Sequence, residues 1–597
     1  MKLLGVGMAA TSQRVAGIEP GQRRLNGPQT SGREYRNLSE PRYGTRRQIN
    51  VRVPVRDGIE LVADVYRPDA DGTFPALVAA SPYARQLQDV GIPAGFIEAG
   101  ATDFWVPRGY VHVIVNLRGT GGSGGEFGFF DSQERRDMYD LIEWVAEQPW
   151  CDGNVGMIGI SYFAMTQLEA AVERPPHLRA IFPFAVTADL YEAASHHGLV
   201  SAAFISSFLV MLGLTAPKSD RFFRSAPFAI ARRVLNLPRV HRKFATLNGE
   251  SAKGILDLLM RLPHRARPWD ELWLEIVVRH PVRDEWWDDR DLTPRLENVD
   301  IPVYLGCDWE NAPLHLPSTF AALTGLTNSP CVRVAMLGKF GLTWPWESMH
   351  LEALAWYDHW LKGHDTGILD GPAIRYLLPE ADDWHAVQSW PPPQSAHREY
   401  ALRADGVLDA DEGEPGSRTY LTLGSGLNRP KPSEIDPPSI LTWTSAPLDE
   451  DLDVVGDIEL RLVASATALD TAWIAVVSDI AEDDSLVEHL SCGLLRASLR
   501  EVDEKASRPG APVLPCRTAV GIPIGEDVLY RIPLVPNARR FRRGHRIRLT
   551  LSSDDSNPQM PAIMEFRHAT VGTSSLNTIR SSSRLLLPIL GGGQADS

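Results

Sequence analysis

Two kinds of apolar pattern share the first third of the chain. Ile49, Val51 and Val53, then Leu61, Ala63 and Val65, recur at every second position on either side of Arg56-Asp57-Gly58. This predicts an antiparallel hairpin over residues 48–67. Farther on, the apolar runs are short and continuous, at 76–80, 110–115, 155–160, 179–186, 303–305 and 332–337, as expected for parallel strands buried on both faces. Among them, residues 134–148 place Met138, Leu141, Ile142 and Val145 at helical spacing, and 165–172 read as a second helix. Strands alternating with helices predict a doubly wound α/β sheet.

The alternation stops at Asp189. From there to Arg295 the pattern is helical and rich in aromatics, among them Phe204, Phe208, Phe222, Phe223, Trp269, Trp273, Trp286 and Trp287. An insertion at that point would lie as a cap over the sheet edge and shape a pocket. After Gly363 and the triple proline at 391–393, short alternating segments such as Ile458-Glu459-Leu460-Arg461-Leu462 and Ile547-Arg548-Leu549-Thr550-Leu551 are separated by Gly, Pro and Asp turns. They predict an all-β sandwich of jelly-roll type. The expected division is a disordered tail over 1–45, an α/β core over 46–188 and 296–370, a helical cap over 189–295, and a C-terminal β-sandwich over 371–590.

A chain of 597 residues is too long for one core. Its formal charge of −15 argues against nucleic acid or an anionic membrane as the partner, leaving a small neutral or cationic molecule. The five cysteines are scattered and form no Cys-x-x-Cys pair, so neither a zinc site nor a dithiol is expected, and a reducing compartment fits. Residues 1–10 faintly resemble a signal peptide, but the apolar stretch is short, glycine-broken and followed by basic and polar residues from Arg14 to Arg36, which favours a disordered tail, and no run is long enough to cross a bilayer. The expectation is a cytoplasmic protein needing neither metal nor organic cofactor.

Chemistry enters at Gly159-Ile160-Ser161-Tyr162. A serine between an apolar strand and a helix is the context of a nucleophile elbow, in which the backbone N–H of the next residue, here Tyr162, faces the oxyanion of an attacked acyl group. The general elbow has glycine two positions after the serine, where this chain has Phe163; the alternative reading is a small buried residue in a strand–helix turn. The glycines of 119–125 lack a Gly-Lys-Ser/Thr ending and read as a tight loop, not a phosphate site.

In order along the chain stand Val55-Arg56-Asp57-Gly58-Ile59-Glu60-Leu61, Tyr66-Arg67-Pro68, Ser81-Pro82-Tyr83, Arg118-Gly119-Thr120-Gly121-Gly122-Ser123, Gln148-Pro149-Trp150, the elbow, His280-Pro281 with Trp286-Trp287, and Tyr357-Asp358-His359-Trp360-Leu361-Lys362-Gly363. Ser445-Ala446-Pro447-Leu448 and Arg543-Gly544-His545 follow. With these segments the chain resembles the CocE/NonD hydrolases, the family of cocaine esterases, α-amino acid ester hydrolases, glutaryl-cephalosporin acylases and X-Pro dipeptidyl-peptidases of the S15 group. The resemblance implies an α/β-hydrolase domain with a helical cap and a C-terminal jelly roll. It also implies Ser161 as nucleophile and an oxyanion hole made by the Tyr83 hydroxyl and the Tyr162 N–H. The family elbow has glycine where Ala164 stands.

The remaining triad members are less direct. Counting back from Thr319-Phe320 without a gap puts Glu310 at the family's acid position, whereas Asp308 requires a two-residue shift. The family's histidine follows the last core strand, and there the chain reads Gly338-Lys339-Phe340-Gly341-Leu342. Leu342 occupies the expected base position. His350 is the next histidine in the right chain order; His315 precedes the last strand and His359 belongs to a structural signature. Two readings follow: a serine hydrolase acting on a small ester or amide through an acyl-enzyme, with Ser161, Glu310 and His350 as triad, or a catalytically impaired relative acting as a binding or scaffold protein. Either is compatible with a homo-oligomer.

Overall fold

The computed structural model describes residues 24–88, 97–215, 268–310, 313–339, 341–343, 345–422, 438–485, 487–553 and 573–591, with positions 13–14, 226, 230, 568 and 571. Among them, eleven strands form one sheet in the order β1-β2-β3-β5-β4-β6-β7-β8-β9-β10-β11, where β1 is Gln13–Arg14, β2 Thr45–Pro54, β3 Glu60–Pro68, β4 Phe74–Ser81, β5 Val111–Asn116, β6 Cys151–Met157, β7 Leu178–Ile181, β8 Val303–Asp308, β9 Val332–Leu337, β10 Ile374–Leu378 and β11 Asp383–Val387. The predicted hairpin is β2 and β3, with Val53 opposite Leu61 and Val51 opposite Ala63. From β5 through β10 every pairing is parallel, and β11 returns antiparallel. The central strands β5 and β8 are buried along their whole length, as the continuous apolar runs require when helices cover both faces.

Helix α1 (Ser132–Ala146) starts where the Asp131 carboxylate accepts the Glu134 N–H at 2.9 Å, and it buries Met138, Leu141, Ile142 and Val145. Helix α2 (Tyr162–Glu173) follows the elbow, and α3 (Leu316–Gly325) and α4 (His350–Lys362) pack farther along the sheet. The cap is represented by helices Leu190–Ser195, Ala202–Thr215, Trp269–Leu274 and Glu285–Asp288. Phe222 and Phe223, and most of 216–267, lie outside the described residues.

Two expected boundaries differ. Residues 24–44, assigned to a disordered tail, run along α4: the Ser31 N–H and hydroxyl donate to Glu352 at 2.8 and 2.9 Å, and those of Ser39 donate to Asp358 at 2.6 and 2.7 Å. The stretch reads as disordered because it is polar, yet its partners are buried acids more than 300 positions away. The α/β sheet also extends through β10 and β11, past the expected edge at residue 370, so the second domain begins near β12 (Ser395–Leu402).

That second domain consists of two antiparallel sheets. One contains β12, β13 (Leu408–Asp409), β14 (Ser417–Thr422), β16 (Leu452–Ala466), β19 (Val528–Phe541), β21 (Ser575–Arg580) and β22 (Arg584–Leu590); the other contains β15 (Leu441–Thr444), β17 (Ala472–Ile480), β18 (Val487–Arg496) and β20 (Arg546–Ser552). Trp443, Trp473 and Tyr530 are buried in this domain. It meets the first through the ion pairs Lys339–Glu488 at 3.4 Å and Arg517–Asp288 at 2.7 Å, and through Asn537, whose amide donates to the Trp309 carbonyl at 3.4 Å.

Candidate active site

After β6 the chain turns sharply into α2. Gly159 has φ of +129°, and a Cβ there would stand 2.3 Å from the Phe163 Cβ, so only glycine fits two residues before the serine. Ser161 itself has φ 58° and ψ −122°, a region that residues with a Cβ rarely adopt. It is held there from both sides: its N–H donates to the Phe184 carbonyl at 3.1 Å, and its own carbonyl accepts the N–H groups of Ala164 and Met165 at 2.9 and 3.0 Å. Phe163 and Ala164, which replace glycines of the general and family elbows, are fully buried in α2. Ser161 stays partly accessible while the next ten residues are buried.

Tyr83 follows β4. Its carbonyl accepts from the Asn116 amide at 2.7 Å, its N–H donates to the Ser81 hydroxyl at 3.1 Å, and its phenol lies beside the Ser161 side chain. The ring lies edge-on to Tyr162, Phe163 and, from the cap helix Ala202–Thr215, Phe208, at centroid distances of 6.2, 6.1 and 6.4 Å. Burial foremost, and then the negative charge of Glu98, hold this phenol well above its ordinary pKa; it therefore stays a donor. The Tyr162 N–H is in the first turn of α2, where helix geometry provides no acceptor and the dipole favours negative charge. Its phenol donates to Glu134 at 3.2 Å. Burial, reinforced by nearby Asp131, pushes the Glu134 carboxyl up to about 8, and buried Glu169 beside it is also raised.

The structure adds a carboxyl that the sequence did not single out. Glu98 is buried, its N–H donates to the Gln88 side chain at 2.7 Å, its carbonyl accepts the Ile160 N–H at 3.1 Å, and its carboxyl lies beside the Ser161 hydroxyl. Burial raises this carboxyl well above the ordinary range, and the Ser161 hydroxyl draws it partly back. Sequence periodicity offered no signal for it, because Ile97-Glu98-Ala99-Gly100 lies between elements.

The two expected acids separate. Asp308 is buried and ends β8 opposite Leu337. Glu310, two residues on, sits 3.9 Å from Lys339, which also pairs with Glu488, itself 2.8 Å from Arg539 at the domain seam. His350 is fully buried at the first turn of α4 against Phe104, Trp105 and Trp346. Its Nε2 accepts the Ala101 N–H at 3.0 Å, and its Nδ1 lies 3.0 Å from the Ser348 carbonyl. Both ring nitrogens are thus engaged by backbone groups, and taking a proton from serine would break one of those bonds. This arrangement does not meet the expectation of His350 as base. Leu342 is buried in its turn, and His315, bonded to the Thr187 hydroxyl at 3.0 Å, is held by burial at about 3 and therefore neutral.

A mostly parallel sheet with an elbow serine at the carboxyl end of a central strand, a helical cap and an appended β-sandwich defines an α/β-hydrolase of two-domain type. The family comparisons agree. The description "X-Pro dipeptidyl-peptidase (S15 family)" matches residues 57–337, and "X-Pro dipeptidyl-peptidase C-terminal non-catalytic domain" matches 366–577; the chain carries both domains of the S15 group. It is 28% identical to a cocaine esterase from Rhodococcus sp. (strain MB1 Bresler), over 91% of this chain and 98% of that one. A CocE/NonD family hydrolase from Staphylococcus aureus shares the fold with a TM-score of 0.69 at 22% identity, covering 92% of this chain and 94% of that one. An α-amino acid ester hydrolase does so with a TM-score of 0.63 at 18% identity, covering 94% and 99%. No helix among the described residues is long and apolar enough to cross a membrane.

Proposed function

We propose that the protein is a serine hydrolase that opens an ester or amide bond of a small substrate through an acyl-enzyme on Ser161. The observation that carries this reading is the strained, partly accessible Ser161 turn with the Tyr83 phenol beside its hydroxyl. Attack by the Ser161 oxygen on an acyl carbon would leave an oxyanion between the Tyr83 hydroxyl and the Tyr162 N–H, two donors that need not reorganise as charge develops. The aromatic wall of Tyr83, Tyr162, Phe129 and Phe208 suits a small acyl or aryl group. Of the two expected acids, Glu310 is drawn toward Lys339 and Asp308 is buried at the end of β8. The scaffold alternative finds no support among the named relatives, which include an esterase. The test is labelling by a fluorophosphonate together with hydrolysis of p-nitrophenyl acetate. Both should be lost in Ser161→Ala, and an unlabelled Ser161 with unchanged turnover in that variant would end the reading.

A further inference from the structure

The serine-hydrolase reading leaves one role unfilled. Leu342 stands where the family's histidine is expected, and both nitrogens of His350 are bound to backbone. Meanwhile a carboxyl lies on the nucleophile itself. We propose that Glu98 is the proton acceptor for Ser161, so that a serine–carboxylate pair does the work of the missing imidazole; the proposal rests on the hydrolase reading above.

Three observations carry it. The Glu98 carboxyl is buried beside the Ser161 side chain, whose hydroxyl draws its pKa down. Its position is set by backbone on both sides, the N–H to Gln88 and the carbonyl to Ile160, one residue before the nucleophile. Its second oxygen, Oε2, is buried with no partner among the described residues. A buried carboxyl with an open oxygen is expensive as structure and useful as a base. An ordinary carboxylate is too weak to draw a proton from a serine hydroxyl; desolvation strengthens it, as burial does here. The described groups around it do not neutralise it. Tyr83 from the end of β4 is a phenol, and Gln88 is an uncharged amide. His112 of β5, beside Ala99, is held neutral by burial at about 3, and His350 of α4 reaches Ala101 through its ring nitrogen.

The step balances without a further reactant. As the Ser161 oxygen bonds to the acyl carbon, its proton passes to the Glu98 carboxylate and the carbonyl π pair moves onto oxygen as the oxyanion. Collapse of the oxyanion breaks the bond to the leaving group, which departs with the proton from Glu98. Water then repeats the sequence: Glu98 takes one of its protons, the acyl carbon gains a hydroxyl, and Ser161 leaves with the proton returned.

Glu98→Gln keeps the shape and removes the base. The expected result on p-nitrophenyl acetate is a fall in kcat of about 10²–10⁴-fold with little change in KM, and a parallel fall in the rate of fluorophosphonate labelling. In Glu98→Ala, added formate should restore part of the lost rate. Wild-type labelling should accelerate with rising pH through an ionisation above the ordinary carboxylate range, a measurement that stands even if the variants fold poorly. Near wild-type kcat in a folded Glu98→Gln protein, a rise in KM alone, or labelling independent of pH would overturn the proposal. An unlabelled wild-type Ser161 would instead remove the hydrolase reading beneath it.

Discussion

The backbone at Ser161 makes a prediction whose sign opposes the ordinary one. At φ 58° and ψ −122° a residue with a Cβ is strained, by ~1–3 kcal/mol for such sparsely populated conformations. Ser161→Ala keeps that strain and Ser161→Gly releases it. Both variants lose the hydroxyl beside Tyr83 and Glu98, so that loss cancels when the two are compared. Glycine gives back ~0.4–1 kcal/mol through the greater freedom of the unfolded chain. The glycine variant should therefore be the more stable by ~1 kcal/mol, whereas at an ordinary helical position glycine is worse than alanine by roughly 0.5–1 kcal/mol. Urea unfolding followed by tryptophan fluorescence compares the midpoints, with equal slopes confirming that the same transition is measured. Both variants should be inactive on p-nitrophenyl acetate. An alanine variant more stable than the glycine one would refute the claim that the elbow is strained.

Three further outcomes follow from buried groups and the domain seam. His350→Ala should destabilise by ~2–5 kcal/mol, since it leaves the Ala101 N–H and Ser348 carbonyl unpaired inside an aromatic cage, while turnover of the folded fraction stays near wild type; a loss of about a thousandfold without loss of stability would make His350 the base. Two opposed pH effects should act on thermal stability. As pH falls below about 6.5 the unfolded chain protonates His112 and His315, which burial holds at about 3 in the fold, and their contribution is lost; as pH rises from about 4.5 to 8 the unfolded chain has ionised Glu134 while burial, raising it from 4.5 to about 8, keeps it protonated in the fold, and that contribution is lost in turn. Glu134→Gln should flatten the fall between pH 6.5 and 8, and an unchanged slope in that variant would exclude Glu134 as a cause. A chain ending at residue 370 should be insoluble, because it strips β10 from β9 and leaves a hydrophobic edge strand exposed; a soluble, active product would show that neither β10 nor the second domain is needed to hold the sheet.

What could be read from the sequence was local, and what could not was the meeting of distant segments. The period of Met138, Leu141, Ile142 and Val145 identifies α1, and the continuous run of 332–337 is β9, because burial on one face or two writes itself into spacing. Gly159-Ile160-Ser161 announced its turn because close approach to Phe163 admits only glycine. The acid was harder to place. Gapless counting assumes that the strand continues, but β8 ends at Asp308 and the next two residues carry Glu310 toward Lys339. His350 satisfied chain order, which says nothing about what its ring nitrogens touch. Glu98 carried no periodic signal, and its partner lies 63 positions on.

Two features of the site are unfavourable as structure: a serine held in a left-handed turn, and beside it a carboxyl buried with one oxygen unpaired among the described residues. Separately, each lowers stability with no packing return, since alanine would fill the turn as well and glutamine would fill the space of Glu98 with less desolvation penalty. Taken together they have a common explanation. The turn raises the hydroxyl to the pocket, and burial gives the adjacent carboxylate the basicity to draw its proton. With leucine in the histidine's place, that pairing accounts for both penalties through one chemical step.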